Sequence, residues 1–155
     1  MTIDTPRPDA AALVPHALDA VLLERVWQED EHTTCATLRA GGPTPFADGA
    51  GDWPDWLAIE IMAQVVAASA TLRDFRPGVR ARLGLLLGVR EFHFAGDYIP
   101  AGARLRVEVQ EGMRDATGMG VFDALIEADG ATLARATLST YLPEDADAYL
   151  EGLGI

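Results

Sequence analysis

The chain has 155 residues, of which 49% are hydrophobic and 23% are charged, as is typical of one soluble domain with a sizeable core. Its net charge of −12 disfavours binding to nucleic acid or to an anionic membrane. No uninterrupted apolar run reaches membrane-spanning length, and the N-terminus lacks the pattern of a secretory signal. The single cysteine, Cys35, allows no internal disulfide and is predicted to be a buried thiol in a strand, so we expect a cytoplasmic protein.

The first part of the chain is predicted to form an arm followed by a hairpin. Residues 1–12 are rich in Pro, Asp and Ala and are typical of a loose arm. Residues 13–19 favour a short turn or helix. Residues 20–28 and 32–39 each favour a strand, and the acidic residues between them favour a turn.

A loop and a long helix are predicted next. Residues 40–55 hold four glycines and three prolines and predict a long loop, a feature that is often functional. Pro54 favours a helix start, because proline fits the first helical turn. The helix is predicted to run to residues 73–75, where Pro77 and Gly78 end it. Since this helix is apolar on nearly every side, we expect the rest of the fold to wrap it.

The remainder of the chain favours antiparallel strands. The segments are 83–94, 104–110, 120–127 and 132–141, with Asp129-Gly130 as a tight hairpin turn. Pro143 ends the regular sheet, and residues 144–155 form an acidic tail. One apolar helix and one sheet can bury each other when the sheet curls around the helix, which is the hotdog arrangement of the α+β class. We expect a single domain over residues 13–143, and a dimer because the sheet leaves open edges.

Glu60 is the only charged residue between Asp55 and Arg73. Burial of a lone carboxylate is costly unless it is paired, hydrogen-bonded or protonated, and a carboxyl group in such surroundings suits proton transfer. The alternative is that Glu60 only complements the dipole at the helix start. Gln64 lies one turn later on the same face, where it could orient Glu60 or form a plain hydrogen bond between helix and sheet.

All cations of the chain are arginines, and several cluster after the helix. A local arginine cluster on an acidic protein could dock an acidic partner or a phosphate group. The alternative is that these residues only keep the end of an apolar helix soluble. The predicted docking residues are Arg73, Arg76, Arg80 and Arg82.

Three segments resemble bacterial 3-hydroxyacyl-acyl-carrier-protein dehydratases. Residues 54–64 resemble the family's helix start and its Glu-x-Met-Ala-Gln element. Residues 13–26 resemble its opening Pro-His and Leu-Leu-x-Asp-Arg-Val, and residues 92–105 resemble its Phe-x-x-x-Val-x-Pro-Gly-Asp-x-Leu. The stretches 84–90, 118–122 and 141–143 are similar to the dehydratase-like subgroup that accompanies aryl-polyene biosynthesis genes.

This resemblance implies a hotdog enzyme that eliminates water from a 3-hydroxyacyl thioester in fatty acid or polyene biosynthesis. The thioester would be carried on the phosphopantetheine of an acyl carrier protein, with no further cofactor. Glu60 would be the acid or would hold the water, and His16, in the Pro-His element, would be the base. The family's loop histidine aligns with Phe46, so the usual pair is incomplete at that position. The implied substrate-binding residues are Gln64, Phe46, Asp55, Trp56 and Gly88.

The other two histidines are weaker candidates for the site. His32 is expected to be solvated, and His93 is expected to face the other side of the sheet from Phe92 and Phe94. The scattered histidines predict no metal site. Two alternatives to an active dehydratase are a non-catalytic or half-catalytic subunit that pairs with a true dehydratase, and an acyl thioesterase. The expected partners are an acyl carrier protein and a second hotdog chain, either identical or related.

Overall fold

The structure is a computed structural model that describes residues 10–13, 20–42, 44, 46–73, 81 and 84–154. The described helices are α1 (Ala10–Leu13), α2 (Leu57–Arg73) and α3 (Ala146–Gly152). The described strands are β1 (Arg25–Gln28), β2 (Thr33–Arg39), β3 (Trp53–Pro54), β4 (Leu85–Phe94), β5 (Tyr98–Ile99), β6 (Arg104–Arg114), β7 (Met119–Ala128) and β8 (Ala131–Tyr141).

Six strands form one antiparallel sheet in the order β1-β2-β6-β7-β8-β4, and β3 pairs with β5 in a separate ladder. Helix α2 packs on this sheet and contacts all four inner strands as well as the edge strand β1. The predicted α+β class with one long apolar helix against a curled sheet is therefore confirmed. Strands β1 and β4 form the two edges of the sheet.

The core lies between α2 and the inner face of the sheet. Alternate residues of β6, namely Leu105, Val107 and Val109, are buried, as the two-residue period of a strand requires. Leu57 and Ile61 of α2 are completely buried against this face. Burial of such a side chain stabilises the fold by about 1.5–3 kcal/mol, and the many contacts together hold the helix in place.

The helix starts later than predicted. Pro54 does not lie in the first turn of α2, because it is extended and pairs with Tyr98 between β3 and β5. The side chain of Trp53 beside it is buried. Backbone hydrogen bonding of helical type begins at Asp55, whose carbonyl accepts the Ala58 N–H at 3.0 Å. The prediction for Pro54 was therefore wrong, and the long loop contains a short strand that closes on the segment after β4.

The predicted strands appear with shifted ends. Residues 21–24 are not part of β1, whereas β6 extends four residues beyond the predicted end at residue 110. At the Asp129-Gly130 turn both residues have positive φ, of 49° and 85°, as this hairpin turn requires. The sequence pattern missed α3, whose side chains lie on the surface with Tyr149 against Tyr141.

Of the predicted loose arm, residues 1–12, the structure describes only residues 10–12. Residues 10–13 form α1, which contacts α2, and both Ala10 and Leu13 are buried. Two apolar side chains one helical turn apart reach the core together, which explains why this short segment is ordered.

Candidate active site

A cleft of about 230 Å³ lies between α2 and the ends of strands β4, β6, β7 and β8. One face of α2 lines it with Glu60, Ala63, Ala67, Ala70 and Arg73, among others. Because each residue adds about 1.5 Å along a helix, Glu60 and Arg73 lie about 20 Å apart along this wall. The opposite wall is largely apolar. It includes Leu85, Leu86, Phe122, Tyr141 and Leu142.

Glu60 is half-buried and lies at the edge of this cleft, near the start of α2. Its Oε1 accepts a hydrogen bond of 3.0 Å from Nε2 of Gln64. The two residues are four apart, so the helix places them on one face. A carboxyl group here faces an apolar channel on one side and a buried amide on the other.

Gln64 is completely buried and connects three parts of the chain. Besides its bond to Glu60, its Nε2 donates to the carbonyl of Ala20 at 2.8 Å. Its Oε1 accepts the N–H of Leu22 at 3.0 Å. Gln64 is not among the residues that line the cleft. Its connection to the cleft is the hydrogen bond that it donates to Glu60.

The far end of the cleft is charged. Arg73, in the last turn of α2, forms an ion pair with Glu111 of β6. Arg114, the last residue of β6, lines the same end and has no ion pair with any residue in the described part of the chain. An apolar channel therefore joins a carboxyl group at one end to a group of charges at the other.

A family comparison bears on this arrangement. The ApeP-like family, described as ApeP dehydratase, matches residues 8–151. The chain belongs to the ApeP-like dehydratase family. No curated protein matches the sequence.

Solved structures agree with this family assignment. The ApeP-like chain resembles a chain of the dehydratase heterocomplex ApeI:P from Xenorhabdus doucetiae, with 26% identity and a TM-score of 0.82. The match covers 96% of this chain and 99% of that one.

Two more distant structures support the hotdog fold alone. The Cj0977 protein of Campylobacter jejuni is 12% identical, with a TM-score of 0.65 and 88% of each chain covered. The mutant thioesterase PA1618 from Pseudomonas aeruginosa is 13% identical, with a TM-score of 0.57 and coverage of 77% and 80%.

The ApeP-like chain brings only part of the predicted site together. Phe46 and Trp56 are each about half exposed and do not line the cleft. Their rings contact one another edge to face, with 5.2 Å between the ring centroids. The N–H of Trp56 already donates to the carboxylate of Asp55 at 2.8 Å. Gly88 lies in β4 but does not line the cleft, which is lined by residues 84–86 at the start of that strand.

Several predicted residues fall outside the described ranges. His16 is one, as are Arg76, Arg80 and Arg82. Within the described chain, the exposed side chains of His32 and His93 both lie away from the cleft. No group of three metal-ligating side chains occurs there. No helix in the described ranges is long and apolar enough to cross a membrane.

Some residues of the cleft were not singled out by sequence reasoning. The alanines at positions 63, 67 and 70 recur at spacings of three and four, which is the helical period and marks one face. Because small residues there leave space beside the helix, this spacing was a usable signal. Glu111 and Arg114 lay beyond the predicted end of their strand, and nothing local marked them as neighbours of α2.

Proposed function

We propose that this chain takes part in eliminating water from a 3-hydroxyacyl thioester that is carried on the phosphopantetheine of an acyl carrier protein. The observation that carries the proposal is the position of Glu60 at one end of an apolar cleft in a chain of the ApeP-like dehydratase family. The cleft suits an extended acyl chain because its walls are mainly apolar side chains and alanines.

The reaction needs one base and one acid. A base removes the proton from C2, the C2–C3 double bond forms, and the C3–O bond breaks as an acid delivers a proton to the departing hydroxyl, so that water leaves. Glu60 is assigned the acid role, since its carboxyl group borders the cleft and carries one transferable proton when protonated. His16 is the proposed base, on the family resemblance of its Pro-His element.

The developing charge on the thioester oxygen needs hydrogen-bond donors. Backbone N–H groups at the start of a helix are suitable donors, and the N–H groups around Asp55 and Trp56 are the proposed ones. In the present conformation the Trp56 N–H donates to Asp55. Its use would require the Asp55 side chain to turn away when substrate binds.

A partner subunit is part of the proposal. The solved relative is a dehydratase heterocomplex. This chain leaves strand β4 at the edge of its sheet, with Leu86 and Leu87 exposed by 42% and 54%. Exposed leucines on an open edge favour pairing with another hotdog chain. Leu86 also lines the cleft, so a partner bound there would complete the substrate channel.

A half-catalytic role within a heterodimer is the second candidate. Residues 33–92 contain no histidine, and Phe46 stands where the dehydratase family places its catalytic histidine. In this case the chain is inactive alone, and the partner supplies the missing base. A thioesterase activity has less support, since the thioesterase structures share only the fold with this chain.

The test is an assay of the purified chain, alone and mixed with a related hotdog partner, on a 3-hydroxyacyl thioester of a carrier protein. Mass spectrometry detects loss of water, and ultraviolet absorbance detects the enoyl thioester.

We expect the Glu60→Gln variant to fold normally and to lose at least a hundredfold in elimination rate, because the acid proton is absent. Full activity of Glu60→Gln would overturn the assignment. Activity only in the mixture would favour the half-catalytic role, and release of free acid and thiol would favour a thioesterase.

A further inference from the structure

We propose that Gln64 is a positioning residue, which holds the Glu60 carboxyl group in one orientation and ties it to the backbone at residues 20–22. The catalytic meaning of this assignment rests on the proposed function. The geometry on which it stands is independent of that function.

Two backbone partners determine which way the Gln64 amide points. The N–H of Leu22 can only donate, so the atom facing it must be the amide oxygen. The carbonyl of Ala20 can only accept, so the atom facing it must be the amide nitrogen. The orientation therefore does not depend on the similar appearance of oxygen and nitrogen in a side-chain amide.

With that orientation set, the second N–H of Gln64 points at Glu60. Oε1 of Glu60 accepts this bond at 3.0 Å. This bond limits rotation of the Glu60 carboxyl group about its last side-chain torsion. Gln64 itself does not line the cleft, so it acts on the substrate only through Glu60.

The same amide also couples Glu60 to the N-terminal segment. Ala20 and Leu22 directly follow residues 14–19, which contain His16, and both bond to a side chain 42 to 44 residues away. Gln64 is 0% exposed, so its polar groups have no access to water if these bonds break. Leaving a buried donor or acceptor unsatisfied is costly, so all three hydrogen bonds of Gln64 are expected to persist in the folded chain.

The first experiment measures geometry and needs no enzyme activity. In NMR spectra, the side-chain amide protons of Gln64 should exchange with solvent at least a hundredfold more slowly than those of the exposed Gln110. Glu60→Ala should shift the Gln64 side-chain resonances and speed the exchange of one of the two protons. Exchange as fast as in Gln110, or no response to Glu60→Ala, would overturn the proposal.

The second experiment uses the elimination assay, with the partner subunit present if it is required. Gln64→Glu keeps an acceptor for Leu22 but cannot donate to both Ala20 and Glu60, and Gln64→Met removes all three bonds. We expect both variants to lower kcat at least tenfold with less than a twofold change in KM. Thr71→Val is the matched control, because Thr71 is a buried residue of the same helix that bonds only to the Ala67 carbonyl.

A merely structural role would reduce the folded fraction in Gln64→Glu and Thr71→Val alike and leave kcat per folded molecule unchanged. That result would overturn the positioning role. If Gln64→Met does not fold, Gln64→Glu decides the comparison. If no elimination is found for the wild-type chain with or without a partner, the proposed function fails, and the exchange measurements still decide whether Gln64 holds Glu60.

Discussion

Arg73 at the end of α2 and Glu111 in β6 form an ion pair across 38 residues of sequence. The Glu111 side chain is only 12% exposed, whereas that of Arg73 is 33% exposed. The pair therefore connects the C-terminal turn of the helix to the sheet at the far end of the cleft. Its carboxylate is the more deeply buried partner, so loss of the arginine leaves a charge with little access to water.

We expect Arg73→Ala to lower the free energy of unfolding by about 1–2 kcal/mol. This value lies between the losses typical of exposed ion pairs and those typical of buried ion pairs. Glu111→Gln should cost less, because Arg73 can turn toward solvent. A double-mutant cycle by urea denaturation measures the coupling. Additive effects of the two substitutions would show that the pair contributes no stability.

If the proposed carrier protein docks at this end of the cleft, Arg114 is a better candidate contact than Arg73, since Arg73 is already paired with Glu111. Arg104 and Arg114 are exposed residues at opposite ends of β6, and only Arg114 lines the cleft. We expect Arg114→Ala to weaken carrier binding three- to tenfold at low salt, with a smaller effect at high salt. Surface plasmon resonance or calorimetry measures the carrier affinity at both salt concentrations.

The matched control for that prediction is Arg104→Ala, which removes the same charge from the other end of the same strand. Equal weakening by the two variants would mean that only net charge matters. The sequence also predicts docking through Arg76, Arg80 and Arg82, and the same assay applied to alanine variants at these positions tests that prediction.

The sequence was sufficient for features that depend on local chemistry. The apolar run around Glu60 indicated a wrapped helix, and the Asp129-Gly130 pair indicated a tight hairpin turn, in which both residues have positive φ. The prediction for Pro54 was wrong because a residue with a fixed φ near −65° fits both a first helical turn and an extended segment. The extended conformation is the one that pairs with β5 and buries the neighbouring Trp53.

The candidate site was less accessible to sequence reasoning because its key contacts join distant segments. Gln64 was recognised as a neighbour of Glu60 from their spacing of four residues. Its bonds to Ala20 and Leu22 span more than 40 residues, and no local pattern encodes them. Arg114 was missed for a similar reason, since β6 continues four residues beyond its regular alternation.

Ala67 lies near the middle of the cleft wall on α2, between Ala63 and Ala70. If the cleft holds the acyl chain, Ala67→Leu places a larger side chain in the channel. We expect at least a tenfold loss in kcat/KM for long 3-hydroxyacyl thioesters, because a misfit of one methylene is worth about 1–3 kcal/mol. Short thioesters serve as the control and should react at the normal rate. Equal loss for both chain lengths would place the acyl chain elsewhere.

Cys35 lies buried in β2, with its sulfur 3.4 Å from the guanidinium of Arg106. Burial raises the pKa of the Cys35 thiol and outweighs the opposing effect of Arg106. The folded chain therefore keeps this proton at pH values where the unfolded chain releases it, above about 8.5. Since the unfolded state then binds fewer protons, the free energy of unfolding falls as pH rises, by up to about 1.4 kcal/mol per pH unit until the folded thiol also ionises.

Urea denaturation from pH 7.5 to 10 should show a steeper decline in the free energy of unfolding for the wild-type chain than for Cys35→Ala, which lacks this group. Parallel curves, or rapid modification of the native thiol by a disulfide reagent at pH 8, would contradict the prediction.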